Sequence, residues 1–455
     1  MGLKTKDKAA DAPSLPPTLK SVPFLRDAPP RALKAAESET RYFGLPGGWQ
    51  LFGPGEPSDQ IYFVLSGSLG AFRISANGKM ELLGHIRAGE PVGEMSMIAG
   101  EAHENAVFAL RDTELLSMSR QGFMSLVKTD PQILERLTRV IMIRMRQARK
   151  KTGRSAEPRV FGLVAASPTI DLKQRARTLS TELQGMGMRV AIVGEEAVGM
   201  PAAYFDELEM RNDIVLLLST LGDTPWFKMT QRHSDRIWLF ARADARPSKP
   251  LLPDDPSPAR QFRLVDLVLL HHGGERQVTS TAEWMDAAEA TRVFHWNQMD
   301  ENDARRLSRT MSGKSVGLVL SGGGARAYAH IGVMRALREA NCPVDFIGGA
   351  SMGAIVGAAI ACGWDDEEIH RRIYQAFVET NPLSDYRLPV VGLVKGHKVD
   401  ARLKEHFGDR LIEDLPIPFF AVSTNLTQGT FKVHTQGLLR EALRATISLP
   451  GILPP

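Results

Sequence analysis

The chain has 455 residues, of which 43% are hydrophobic and 24% charged, a balance typical of soluble globular proteins with two to four domains. Its 56 basic and 52 acidic residues leave a net charge of +4, which gives no support to nucleic-acid binding. Two cysteines, Cys342 and Cys362, cannot build a disulfide framework, and the 11 histidines lack metal-ligand spacing with them, so no metal site is expected.

The N-terminal third predicts an arm, a β-barrel and a helix. Residues 1–30 are rich in Lys, Ala and Pro and lack the apolar core of a signal peptide, which indicates a disordered arm. Short apolar runs such as Gln60–Leu65 and Ala106–Leu110 are punctuated by glycine like the strands of a small barrel. Asp130-Pro131 then opens a helix. We assign residues 31–154 to the barrel and this helix.

The same helix ends in a run of basic residues that extends to Arg154 and contains no acid after Glu135. A solvated helix face leading into a linker is the simpler interpretation. A basic amphipathic helix can also lie on an anionic bilayer, so peripheral contact with a membrane stays open as the second interpretation.

The middle of the chain, residues 155–304, predicts an α/β domain. Apolar runs at 160–165, 190–193, 214–218, 237–241 and 264–270 alternate with helical or irregular segments, as in a largely parallel sheet. We find no phosphate loop or reactive triad there, and His271-His272 fits a strand end better than a metal site. The polar, basic residues 305–314 are interpreted as a linker.

The most informative segment follows the linker. A strand at Val344–Ile347 leads into Gly349-Ala350-Ser351-Met352-Gly353 and a second apolar helix. Strand, G-x-S-x-G and helix are the context of a nucleophile elbow, a tight turn that exposes a serine hydroxyl above the sheet. The uncharged stretch 346–364 reaches membrane-spanning length, but its five glycines and a serine favour a strand, a turn and a buried helix.

A glycine-rich loop precedes the elbow by about 30 residues. Gly322, Gly323 and Gly324 follow a predicted strand and open a helix, so their N–H groups could stabilise the oxyanion of an acyl-transfer reaction. The loop also fits a dinucleotide fingerprint with Asp345 as its acid. We favour serine chemistry because Asp345 lies at the amino end of its strand, away from any bound ribose.

These motifs resemble those of the patatin-like phospholipase family. The resemblance covers residues 315–455 and includes the glycine loop with Arg326, the G-x-S-x-G, and the late segment that begins at Ile447 and ends at Pro455. It implies a patatin-like α/β hydrolase domain in which Ser351 is the nucleophile, Gly349 and Gly353 form the elbow, and Gly322–Gly324 with Arg326 frame the oxyanion site. The family uses a serine–aspartate dyad without a cofactor.

The family's aspartate stands in an Asp-Gly-Gly or Asp-Gly-Ala motif beyond the late proline-rich segment. This chain contains no Asp-Gly. We therefore expect the dyad's aspartate to lie beyond residue 455 and the hydrolase domain to be truncated here, so that the chain alone could be inactive. Without a base, a serine hydroxyl is a poor nucleophile.

The barrel resembles cyclic-nucleotide-binding domains, through Phe52–Glu56, Ile61–Gly67 and Gly89–Glu94. The resemblance implies a pocket in which Gly93 opens a short helix and Glu94 binds a ribose hydroxyl. The family's phosphate-binding arginine falls at about His103, beside Glu104. An imidazole cannot reproduce a bidentate guanidinium, so we expect a structural or protein-contacting domain that binds no cyclic nucleotide.

A barrel of this kind before a patatin-like domain is similar to the neuropathy-target-esterase type of lysophospholipase. The resemblance implies hydrolysis of phospholipid or lysophospholipid acyl esters by a cytoplasmic protein, with peripheral contact at the inner membrane face as an option. Two alternatives stay open. One is a catalytically inactive regulatory protein with a sensor-like barrel. The other is a cyclic-nucleotide-dependent transcription factor, which would need a helix-turn-helix after the barrel.

Overall fold

A computed structural model describes residues 19–74, 80–150, 158–200, 202–248, 251, 264–273, 280–386 and 392–454. These residues fold as a mixed α/β protein with three successive units: a β-barrel, a domain with a parallel sheet, and a smaller α/β unit that carries Ser351. The predicted multidomain fold class is confirmed.

The N-terminal unit is a barrel of two four-stranded antiparallel sheets. Its elements are α1 (Pro30–Ala36), β1 (Thr40–Leu45), β2 (Gln50–Phe52), β3 (Gln60–Ser66), β4 (Ser68–Ile74), β5 (Met80–Arg87), β6 (Pro91–Val92), α2 (Glu94–Ala99), β7 (Ala106–Ala109), β8 (Thr113–Ser119), α3 (Arg120–Thr129) and α4 (Gln132–Lys150). The strand orders are β1-β8-β3-β6 and β2-β7-β4-β5. The predicted strands at Gln60–Leu65 and Ala106–Leu110 are present as β3 and β7. The sequence reading missed β1, β2 and β6, two of which have only two or three residues.

The described part of the predicted disordered arm is ordered. Leu19, Val22, Leu25 and Ala28 are buried in the same hydrophobic cluster as Phe123 of α3. The prediction of disorder is therefore wrong for residues 19–30, because apolar side chains spaced by three cover the barrel's helices. Residues 1–18 lie outside the described residues.

The middle unit contains a six-stranded sheet that is parallel throughout. Its elements are β9 (Val160–Ala165), α5 (Leu172–Gly185), β10 (Val190–Val193), α6 (Ala202–Arg211), β11 (Ile214–Thr220), α7 (Pro225–His233), β12 (Arg236–Arg242), β13 (Val265–His271), α8 (Thr281–Ala288), β14 (Arg292–Asn297) and α9 (Glu301–Met311). The order is β10-β11-β9-β12-β13-β14. The sequence analysis missed β14, because its Arg and His residues interrupt the apolar run that is expected of a buried strand. His271 ends β13, as predicted.

Helix α9 corrects the predicted linker over 305–314. Its apolar residues Ala304, Leu307 and Met311 recur at helical spacing and are buried against the middle unit. The linker prediction is wrong for residues 305–311, because the arginines on the outer face of the helix masked its apolar face.

A buried ion cluster joins the barrel to the amino end of the middle sheet. The Arg111 side chain, 4% exposed, donates to both carboxylate oxygens of Glu209 at 2.7 and 2.6 Å. Its Nε lies 3.6 Å from Asp235, the residue before β12, and Asp235 also accepts the N–H of Val160 at 3.0 Å. The barrel therefore contacts the middle unit through charge pairs that water does not screen.

The C-terminal unit is a four-stranded sheet with helices. Its elements are β15 (Gly317–Leu320), α10 (Ala329–Glu339), β16 (Phe346–Gly349), α11 (Met352–Ala361), α12 (Asp366–Tyr374), α13 (His397–Phe407), β17 (Phe419–Asn425), β18 (Thr430–His434) and α14 (Leu439–Ile447). Strands β15, β16 and β17 are parallel, and β18 pairs antiparallel with β17. Every residue of α11 from Gly353 to Ala361 is buried, which makes this helix the centre of the core.

Hydrogen-bonded ion pairs at the amino end of β16 fix the orientation of this sheet relative to the middle unit. Asp345 stands immediately before β16, is completely buried, and accepts three hydrogen bonds of 2.6 to 3.1 Å from Arg309 of α9. It also accepts the N–H of Val316 at 2.9 Å. The amino ends of β15 and β16 therefore rest on the middle unit. Because β15 and β16 run parallel, their carboxyl ends, which lead to Gly322 and Ser351, lie at the opposite edge.

Candidate active site

Ser351 occupies a strained turn between β16 and α11. Its backbone has φ 53° and ψ −133°, a conformation that costs a non-glycine residue about 1–3 kcal/mol. Strain of this size persists only where the surroundings impose it, and it is the geometry that projects a nucleophile out of a strand-to-helix turn. The strand, tight turn and helix expected around Ser351 are present, and the role of Ser351 as a nucleophile stays a prediction.

Two glycines make this turn sterically possible. A Cβ atom at Gly353 would lie 2.4 Å from the carbonyl oxygens of Leu320 and Ser321, and one at Gly349 would lie 2.7 Å from the backbone nitrogen of Ala354. Both obstacles are backbone atoms, which cannot rotate away. The G-x-S-x-G spacing thus serves close packing of α11 against the ends of β15 and β16.

The glycine loop lies directly against Ser351. A Cβ at Gly322 would stand 3.0 Å from the Cβ of Ser351, so the loop after β15 and the turn after β16 form one site. Gly324 opens a short 3-10 turn that ends at Tyr328, in which Arg326 is exposed. The structure brings together Ser351, Gly322 and both elbow glycines, with Gly323, Gly324 and Arg326 following in the same loop.

Two residues outside the predicted set hold this site. The N–H of Ser351 donates to Thr446 Oγ1 at 2.9 Å, and the Thr446 hydroxyl donates to the Val422 carbonyl. His330 Nε2 donates to the Ser321 carbonyl at 2.9 Å and so anchors the start of the glycine loop. Thr446 immediately precedes the late segment identified in the sequence, whose first residue was taken as Ile447.

The electrostatics of the turn suit an oxyanion. Helix α11 begins at Met352, next to Ser351, and its first N–H groups carry the positive end of the helix dipole. Those of Gly353 and Ala354 donate to the carbonyls of Ala350 and Ser351 at 3.0 and 2.9 Å, and the Ser351 N–H donates to Thr446. Donors to an oxyanion would therefore come from the Met352 N–H at the start of α11 and from the glycine loop.

Among the described residues, no carboxylate or imidazole forms a hydrogen bond with Ser351 Oγ, whereas the Ser351 N–H donates to Thr446 Oγ1 and the Ser351 carbonyl accepts from the N–H of Ala354 at 2.9 Å. His330 is engaged by a backbone carbonyl. Asp345, the acid of the dinucleotide alternative, is occupied by Arg309 and Val316 at the far edge of the sheet. That alternative is therefore excluded by geometry.

The pocket region of the barrel has the predicted backbone and an altered side chain. Gly93 has φ 83°, and Glu94 begins α2 and is 2% exposed. At the position expected for an arginine, the His103 ring stacks on Phe52 with 3.7 Å between ring centroids. Burial holds the pKa of His103 below its ordinary value, against the opposing pull of Glu56. A neutral imidazole therefore stands where the family's arginine is expected.

The uncharged stretch 346–364 forms β16, the elbow and the 10-residue helix α11. Among the described helices, none has both the length and the apolar character that crossing a bilayer requires.

Comparison with known proteins places this geometry in a class. A model of the patatin-like phospholipase family matches residues 318–455, and one of the cyclic nucleotide-binding domain matches residues 45–130. A solved cyclic nucleotide-binding domain from Methylobacillus flagellatus aligns with 27% of this chain and 70% of its own, at 24% identity and a TM-score of 0.25. The chain thus combines a patatin-like domain with a cyclic-nucleotide-binding fold.

Relatives that align with almost the whole chain make the family assignment more specific. An uncharacterized NTE family protein of Mycobacterium tuberculosis is 31% identical over 460 residues, which cover 96% of this chain and 73% of that protein. Patatin-like phospholipase domain-containing protein 7 of Rattus norvegicus is 28% identical over 90% of this chain, and lysophospholipase NTE1 of Phaeosphaeria nodorum is 26% identical over 94%. The chain spans about a third of those two proteins, 35% and 34%. It belongs to the NTE family.

Proposed function

We propose that the C-terminal unit hydrolyses the fatty acyl esters of lysophospholipids or phospholipids through a covalent acyl-Ser351 intermediate. The observation that carries this proposal is the strained backbone of Ser351, held between two glycines and against the glycine loop. The names of the relatives, a lysophospholipase and a patatin-like phospholipase domain-containing protein, support the substrate class.

The reaction proceeds in two halves. Ser351 Oγ attacks the ester carbonyl carbon while its proton passes to a carboxylate, and the carbonyl oxygen becomes an oxyanion. N–H groups of Gly322–Gly324 and of the start of α11 donate to that oxyanion. Collapse breaks the ester C–O bond, and the alcohol leaves with the proton from the carboxylic acid. Water then attacks the carbonyl carbon of the acyl-serine while the same carboxylate accepts its proton. Collapse breaks the bond between the acyl carbon and Ser351 Oγ, the proton returns to Oγ, and the fatty acid is released.

We take the carboxylate to be the aspartate of the family's dyad, outside residues 1–455, because none of the described acids contacts Ser351 Oγ. Arg326 is exposed in the glycine loop, where its guanidinium can bind a lipid phosphate or support the oxyanion. Exposed Leu449 and Ile452 follow the helix that carries Thr446, and they offer an apolar surface for an acyl chain.

A fluorophosphonate ester tests the nucleophile directly. We expect an adduct on Ser351 in a chain extended through the downstream aspartate, and none in Ser351→Ala. Ser321→Ala is the matched control, since Ser321 is an exposed serine in the adjoining loop. Labelling of Ser351 in the 455-residue chain would show that the base lies within it. No labelling of the extended chain would favour the catalytically inactive regulatory protein.

We further propose that the barrel acts as a structural and protein-contacting domain without binding cyclic nucleotide. His103 supplies no guanidinium, and the barrel's Arg111 is engaged in contacts with the middle unit. Equilibrium binding of fluorescent cyclic AMP should show no saturation below millimolar concentration. Saturable micromolar binding abolished by Glu94→Ala would contradict this proposal.

A further inference from the structure

The glycine loop needs contacts outside itself to keep one conformation. Gly322–Gly324 is a run of three glycines, the residue type with the greatest backbone freedom, and Gly324 has φ 56°. Among the described residues, the N–H groups of these glycines donate to no other group. Donors that stabilise an oxyanion are effective because they are held in place before the reaction, so the loop requires an anchor.

His330 anchors the amino end of this loop. Its Nε2 lies 2.9 Å from the carbonyl oxygen of Ser321, the residue before Gly322. A carbonyl oxygen can only accept a hydrogen bond, so Nε2 carries the proton. His330 lies in the first turn of α10, directly after the short 3-10 turn that the loop enters. The hydrogen bond therefore closes residues 321–330 into a ring that contains the whole glycine loop.

The anchored carbonyl also contacts the turn that carries Ser351. A Cβ atom at Gly353 would collide with the carbonyl oxygen of Ser321, so this carbonyl packs against the first turn of α11. Because a peptide group is planar, a fixed Ser321 carbonyl also fixes the direction of the Gly322 N–H. At the other end of the loop, the Arg326 N–H donates to the Gly323 carbonyl at 3.2 Å.

We propose that His330 is a positioning residue, which holds the glycine loop in the orientation that the oxyanion requires. This inference rests on the proposed function, since an oxyanion forms only if Ser351 attacks an ester. The Nε2 of His330 donates to the backbone, and among the described residues no imidazole forms a hydrogen bond with Ser351 Oγ. His330 thus acts through the loop and takes no proton from the nucleophile.

Leucine and glutamine at position 330 separate the hydrogen bond from side-chain volume. Their helix propensities are similar, but only glutamine keeps an N–H donor that can reach the Ser321 carbonyl. In a chain extended through the downstream aspartate, His330→Leu should lower kcat for p-nitrophenyl butyrate about a hundred-fold, as expected for a misplacement of about 1 Å. KM should change little, because the lost contribution acts in the transition state. His330→Gln should recover about ten-fold or more of that loss.

The matched control is His370→Leu. His370 is an exposed histidine of α12 that stacks on Tyr374, so this variant should hydrolyse the ester like the parent. Hydrogen exchange adds a readout that needs no substrate. The Arg326 amide should lose protection in His330→Leu and keep it in His330→Gln, while the α11 amides stay protected in both. That pattern identifies a displaced loop in a folded domain.

Three results would overturn the proposal. One is a His330→Leu variant with the kcat of an active parent. Another is an equal loss of kcat in His330→Leu and His330→Gln, since glutamine keeps a donor but cannot act as a base, and this would make His330 a base or a packing residue. The third is an extended parent that neither hydrolyses the ester nor reacts with a fluorophosphonate at Ser351. That result refutes the proposed function as well, whereas the first two refute the role of His330 alone.

Discussion

Replacing Gly353 by alanine tests whether the elbow is set by close packing. The added Cβ would lie 2.4 Å from two carbonyl oxygens, those of Leu320 and Ser321. Contacts of a Cβ atom below 3.0 Å essentially do not occur, so α11 and the end of β15 must separate by at least 0.6 Å. That movement would displace Ser351 from the glycine loop.

Gly357 provides a control within the same helix. A Cβ there would meet Phe419, Ile347 and Leu320 at 3.4 to 3.8 Å, which is ordinary van der Waals contact. Both substitutions replace a glycine of α11 by alanine. The helix propensity of alanine exceeds that of glycine by up to about 1 kcal/mol. The difference between the two variants therefore isolates the overpacking cost, which we expect to be about 1–3 kcal/mol.

Hydrogen exchange of the α11 amides measures this difference for the C-terminal unit alone, since it reports the free energy of local opening. Gly353→Ala should lower protection and abolish fluorophosphonate labelling of Ser351 in the extended chain. Gly357→Ala should keep the labelling and leave protection equal or higher. Equal protection in the two variants would refute the packing explanation of the G-x-S-x-G spacing.

Three further outcomes are expected. Thr446→Val should leave the Ser351 N–H unpaired and lower the free energy of local opening by about 1–3 kcal/mol in the same exchange measurement. Thr446→Ser, which keeps the hydroxyl, should keep the protection. Equal effects of the two substitutions would show that the hydroxyl does not stabilise the turn. Arg111→Met should destabilise the contact between barrel and middle unit by about 3–5 kcal/mol in urea unfolding, because Asp235 would stay buried without its partner; a change below 1 kcal/mol would contradict this. Burial lowers the pKa of His233 from 6.5 to about 4. Between pH 6.5 and pH 4, His233 is therefore protonated in the unfolded chain but mostly neutral in the folded chain. Stability should fall by about 3 kcal/mol as pH drops from 6.5 to 4, and His233→Phe should remove that part of the pH dependence of unfolding.

The elements that the sequence predicted well are those whose signal is local. The strands β3 and β4 are short apolar runs separated by Gly67, and the elbow combines a strand, two glycines and an apolar helix within 20 residues. Steric demands of this kind depend on neighbouring residues, so a tight turn at Ser351 between two glycines could be predicted without coordinates.

Elements with mixed composition were misread for a physical reason. Strand β14 contains arginine and histidine, and α9 is rich in arginine, so both have polar sequences. They are nevertheless buried because their charged groups pair across domain boundaries: Arg309 binds Asp345, and His295 Nε2 contacts the Glu413 carbonyl at 2.9 Å. Such partners are tens of residues distant in sequence and become visible only in three dimensions.

By itself, the sequence determined a serine in a tight glycine turn, preceded by a glycine loop, and these motifs predicted serine acyl-transfer chemistry. Only the tertiary structure decided how that serine is held and where it faces. Thr446 lies 95 residues from Ser351 and fixes its N–H, and Arg309 turns the amino edge of the sheet toward the middle unit. Long-range hydrogen bonds of this kind leave no periodic pattern in the sequence, since they depend on how separate elements pack.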